Sequence, residues 1–149
     1  MPGVDATEEL RAFETGALDP AKFPHAEHLR LGYEMLARHP FGEALIRFSR
    51  GLQLLAAKAG RPRLYHETIT VAFLALINER RARGCPQSWS EFRRTNPDLF
   101  DKRCLEKWYS AEQLASDLAR KTFLPASNFF ERRRIGRRFH AHGEVGAEK

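Results

Sequence analysis

From Phe41 to Ala59 apolar side chains recur every three or four residues, so that Phe41, Leu45, Phe48, Leu52, Leu55 and Ala59 fall on one stripe of a helix. Nowhere does an alternation of period two persist as a strand requires, and there is no internal repeat or low-complexity block. The chain is therefore expected to be all-α. Residues 1–128 are read as a single compact bundle of five to seven helices, and residues 129–149 as a mobile, basic C-terminal tail.

Caps and breakers divide the bundle. Asp5 and Glu8 fit a capping box that opens a first helix, and Gly16 closes it. Pro24 suits the first turn of a second helix over His25 to His39, ended by Pro40. The striped third helix stops at Gly60 and Pro62. A fourth, Leu64 to Arg83, contains the most apolar run, "VAFLALI", and is expected at the centre. Ser88 and Glu91 cap Trp89 to Thr95, "DLFDKRCLEKWY" has room for one further helix, and Ser110 with Gln113 opens a helix from Ala111 to about Lys121.

Composition narrows the class of protein. A chain of 149 residues can bury roughly 70% of its unfolded surface, which is enough for a core without staples. Cys85 and Cys104 form no C-x-x-C pair and are read as reduced thiols. The start, "MPGVDATEEL", lacks the basic and apolar regions of a secretory signal. "VAFLALI" is far short of the roughly 20 residues that span a bilayer. A cytoplasmic protein without a membrane segment is expected. Net charge is +6, and half of it lies in the tail from Phe129 to Lys149. There Arg132, Arg133, Arg134, Arg137 and Arg138 resemble an arm that neutralises phosphates, which makes a nucleic-acid partner the alternative reading.

The chemistry-bearing stretches are "FPHAEHLR" at residues 23–30 and "YHETIT" at residues 65–70. With His28 at zero on a helical wheel, His25 falls at about +60° and Met35 at about −20°, so both imidazoles share the apolar face. Glu27, Arg30, Glu34 and Arg38 fall opposite. His66 likewise projects with Phe73 and Ile77, while Glu67 lies about 100° to one side. Short links around Pro40 and from Gly60 to Arg63 imply antiparallel neighbours, so helices two and four run parallel and their amino ends meet. His25, His28 and His66 should then gather at one end of the bundle.

Three imidazoles with a carboxylate suit a divalent metal, zinc, iron or manganese, and His25, His28 and His66 are the candidate ligands. His66, Glu67 and Tyr65 are the candidate catalytic, proton-transferring groups. Gly32, one turn after His28 on the same face, would leave a gap beside the histidines, and Gly32 and Thr70 are the candidate substrate-binding positions. The expectation is a histidine-lined pocket for a small-molecule substrate, in a protein that is metal-dependent or works by acid/base chemistry. No G-x-S-x-G, P-loop or dinucleotide fingerprint specifies a reaction. Trp89, Trp108 and Tyr109 offer either core plugs or anchors for a partner, a homodimer included.

The combination of "FPHAEHLR", "YHETIT" and "WYSAEQLASDLAR" resembles a set of small bacterial all-helical proteins without an assigned activity. The resemblance covers about Phe23 to Pro125. It implies no catalytic residue, and it leaves the tail as an extension.

Overall fold

A computed structural model describes residues 5–84 and 88–126. Seven α-helices and no strand occur among the described residues: α1 Ala6–Thr15, α2 His25–Arg38, α3 Phe41–Lys58, α4 Glu67–Arg83, α5 Trp89–Thr95, α6 Ala111–Ala115 and α7 Asp117–Lys121. The expected all-α bundle is what forms. No helix among these residues is long and apolar enough to cross a membrane. Arg132, Arg133, Arg134, Arg137 and Arg138, the sites of the nucleic-acid alternative, lie outside the described residues, as does Cys85.

Local signals account for most of the boundaries. The Asp5 side chain accepts from the Thr7 amide and opens α1. Gly16, at φ 75°, takes the left-handed turn that closes it. Pro24 and Pro40 precede α2 and α3, where a missing N–H costs nothing. Gly60, at φ 72°, turns the chain out of α3.

Three expectations need correction. The fourth helix begins at Glu67 rather than Leu64, because Pro62–Leu64 forms a separate 3-10 turn and His66 is extended, at φ −134° and ψ 111°. The single helix expected from Ala111 is two, since Ser116 leaves helical geometry and uses its hydroxyl to cap α7 at the Ala119 amide. "DLFDKRCLEKWY" contributes two 3-10 turns, Pro97–Phe100 and Cys104–Lys107, in place of one helix.

Helices α2, α3 and α4 pack against one another, with α1 across α3 and α7 against α4. Phe13, Leu31, Met35, Leu74, Ile77 and Phe92 are the large side chains at the centre. Two glycines set how closely the helices approach. A Cβ on Gly51 of α3 would overlap the ring of Phe13, so α1 seats its buried aromatic directly on α3 backbone. A Cβ on Gly32 of α2 would meet Leu74 and Ile77 of α4 at 3.2 and 3.4 Å, and Phe48 of α3 at 3.5 Å. The notch expected at Gly32 is filled by these three side chains.

Trp89 is half-buried in an aromatic group with Tyr33, Phe92 and Phe100, and Arg81 lies over the Tyr33 ring at 5.0 Å. Tyr109 is buried, and its hydroxyl donates to the Leu124 carbonyl at 2.8 Å. Thr68, fully buried, donates to the Thr122 carbonyl and accepts from the Leu124 amide, so residues 122–124 are laid onto α4. Arg80 of α4 forks onto Asp98, both bonds at 2.6 Å, and also donates to Asn96 at 3.2 Å.

Two pairs of outcomes test this packing. Gly51→Ala should lower unfolding free energy by roughly 1–3 kcal/mol in urea denaturation, despite alanine's better helix propensity, because the Phe13 ring must move. Gly42→Ala in the same helix meets nothing within 4 Å and should be neutral or stabilising by up to about 1 kcal/mol. Arg80 holds the Asp98 carboxyl down at about 2. The pair therefore stabilises the fold above the ordinary carboxylate range, and its contribution fades as pH falls from about 4 towards 2. Both side chains are partly exposed, so solvent screening limits the loss in Asp98→Asn to roughly 1 kcal/mol at neutral pH. Stability curves of the variant and wild type should converge towards pH 2.

Candidate functional site

The amino ends of α2 and α4 and the carboxyl end of α3 enclose a cavity of about 350 Å³. This is within the size range of small-molecule sites, at its lower end. His25 and His28 reach it from α2, and Tyr65, His66 and Thr70 from the start of α4. Its apolar walls include Phe48, Leu52, Leu55 and Ala56 of α3, Ile69 and Phe73 of α4, and Phe23 from the preceding loop. Leu64, 65% exposed, stands at the rim. The parallel arrangement expected for helices two and four is what brings the three histidines to one space.

Their ring nitrogens are engaged very differently. His66 accepts the Ile69 amide on Nδ1 at 3.1 Å, which makes it the cap of α4. Its Nε2–H donates to the Leu114 carbonyl of α6 at 2.7 Å. A carbonyl only accepts and an amide only donates, so the ring is neutral and protonated on Nε2. Nothing on it remains for a ligand. His25 donates from Nε2 to the Leu99 carbonyl at 3.0 Å and sets its ring edge-on to Phe73, with centroids 5.0 Å apart.

The His28 ring has no hydrogen-bond partner among the described residues, although its main-chain amide donates to the Pro24 carbonyl. Burial lowers its pKa, reinforced by His25 and Lys102 and opposed by Glu27. The ring is therefore neutral at pH 7, with one N–H and one lone pair for whatever enters.

Tyr65 donates to Glu67 Oε2 at 2.5 Å. Burial first, and then this bond and the carboxylate charge, push the phenol up to about 12 against the opposing hydrogen bonds of Gln53 and Thr70. It keeps its proton at any ordinary pH and cannot serve as a base. Glu67 is not among the residues lining the cavity and acts on it only through Tyr65. Thr70, buried, donates to the His66 carbonyl at 2.8 Å. Gly32 does not line the cavity either, and its role is the close approach of α2 to α4.

The donor set does not fit the metal expected from the sequence. No group of three histidine, cysteine, aspartate or glutamate side chains is placed to hold an ion among the described residues. His66 has no free nitrogen and His25 has committed one of its two. Of the groups expected from sequence to transfer a proton, His66 has both ring nitrogens bonded and Tyr65 is bonded to Glu67, whereas the His28 imidazole is open.

Sequence reading missed the two carbonyl anchors, Leu99 and Leu114, which come from short elements without a periodic signature. It also missed the apolar character of the walls. Leu52, Leu55, Ile69 and Phe73 were visible in the helical stripes, but the stripes do not distinguish a packed core from a cavity wall. No family model, curated protein or solved structure matches this chain.

Replacing His66 by alanine removes a helix cap and the tie to α6, and should cost about 1–3 kcal/mol by chemical denaturation. His28→Leu removes no bond and should leave stability at pH 8 unchanged or raised. Because the folded His28 pKa lies below 6.5, wild-type stability is full above that value and declines as pH falls through it. The variant should lose that part of the decline.

Proposed function

We propose that this protein binds a small, mainly apolar molecule in the cavity between α2, α3 and α4. The observation that carries the reading is a cavity of about 350 Å³ with walls of Leu, Ile, Phe and Ala, lined also by the polar side chains of His25, His28, Tyr65, His66 and Thr70. That combination is typical of small-molecule sites. His28 gives the cavity a neutral imidazole without a protein partner, and any acid/base chemistry on a bound molecule would run through it. The buried thiol of Cys104, set beside Asp98, suits the reducing cytoplasm proposed as the location.

The test uses butylbenzene as an apolar probe. It should raise the melting temperature in proportion to the logarithm of its concentration and shift the NMR signals of Leu52, Ile69 and Phe73. Ethylbenzene, two methylenes shorter, should bind roughly tenfold more weakly, at about 0.8 kcal/mol per methylene. Ala56→Leu, which places a larger side chain in the cavity wall, should abolish the shift while the protein remains folded. Absence of any stabilisation or signal movement in the wild type would refute the reading.

A further inference from the structure

The cavity wall carries no formal charge: no Lys, Arg, Asp or Glu is among the described residues that line it. A carboxylate or an ammonium entering it would leave water without meeting a counter-ion, which is strongly unfavourable. Of the carboxylates beside it, Glu67 is already bonded to Tyr65 and Glu27 to Arg30.

The hydrogens of the wall are also committed. Thr70 gives its hydroxyl hydrogen to the His66 carbonyl, Tyr65 gives its own to Glu67, and His25 gives its Nε2–H to Leu99. Thr70 can therefore meet a guest only with an oxygen lone pair, Tyr65 only with what its side-chain partners Gln53 and Thr70 leave of its own, and His25, as the Nε2–H tautomer, only with the lone pair on Nδ1. His66 has neither hydrogen nor lone pair to give. The sole wall side chain that retains an N–H for a guest, among the described residues, is His28. The wall is thus rich in acceptors, poor in donors and uncharged.

We propose that the cavity selects an uncharged apolar molecule ending in a hydroxyl group, an alcohol or a phenol. The hydroxyl hydrogen goes to a lone pair on the wall and its oxygen accepts from the His28 N–H. A hydroxyl supplies both halves of that pairing in one atom group, which an ether, a carboxylate or an ammonium does not. This inference rests on the cavity being a ligand site and adds the chemistry of the guest's head.

Four probes share one apolar body: para-butylphenol, para-butylanisole, para-butylbenzoate and para-butylbenzylamine. Dissociation constants measured by NMR titration at neutral pH should place the phenol about tenfold or more below each of the others. In His28→Leu the preference for phenol over butylbenzene should shrink to about threefold or less, with butylbenzene binding unchanged or tighter, because only the head-group contact is lost. A benzoate or benzylamine that binds as tightly as the phenol would overturn the inference, as would a preference for phenol over butylbenzene untouched by His28→Leu. If butylbenzene binds and the phenol is not preferred, only this inference falls. If neither butylbenzene nor any of the four binds, the cavity reading falls with it.

Discussion

The imidazole of His66 meets two opposite demands: its Nδ1 must receive the Ile69 amide that opens α4, and its Nε2 must give a hydrogen to the Leu114 carbonyl on α6. Only one neutral tautomer does both. Its own carbonyl then receives the Thr70 hydroxyl, which turns that oxygen's lone pairs into the role left to them. The start of α4, the docking of α6 and the hydrogen-bond sense of the cavity's polar end follow from this single ring. His25 repeats the device on a smaller scale by bonding the first turn of α2 to the Leu99 carbonyl. Two of the three histidine rings are thus bonded to the main chain, and the third, His28, is left as the open imidazole of the cavity wall.

Close helix contact defines the other boundary of the site. Phe13 sits on Gly51, and Leu74, Ile77 and Phe48 close over Gly32, so the centre of the bundle is filled. The free volume lies instead at the end where α3 finishes and α2 and α4 begin. Two helix amino termini and one carboxyl terminus surround it, and its formal charges are held elsewhere. Arg80 is clamped on Asp98, and Arg47 pairs with Glu14 and Glu43 on the outer faces of α1 and α3. A bundle that keeps its ion pairs outside and its apolar walls around an open end can take up a neutral molecule without rearranging its charges.

Much of this was legible in the residues before any coordinates. Helical stripes placed α1 to α4 within a residue or two, apart from the start of α4, and wheel positions put His25 and His28 together on the buried side. Short turns at Pro40 and Gly60 implied the parallel pairing that brings His66 to meet them. What could not be read was the identity of their partners. Leu99 and Leu114 offer main-chain oxygens, which no side-chain pattern encodes, and both belong to short elements positioned by tertiary packing alone. For the same reason three histidines suggested a metal, when two of them are satisfied by carbonyls. The Gly32 notch was misjudged because a wheel shows which face a glycine occupies and not what packs against it. Ser116 shows the limit of local signals: a residue readable as mid-helix is in fact the cap of a new helix.

The division of labour among the imidazoles is the central claim, and nitrogen-15 NMR of the histidine rings tests it directly. At neutral pH His66 should show a fixed Nε2–H tautomer with Nδ1 acting as an acceptor, and His28 should be neutral, should titrate below 6.5, and should be the ring whose shifts move most when para-butylphenol is added. A His66 ring protonated on Nδ1 or exchanging freely between tautomers would contradict the account, as would a His28 ring indifferent to a ligand that the protein binds.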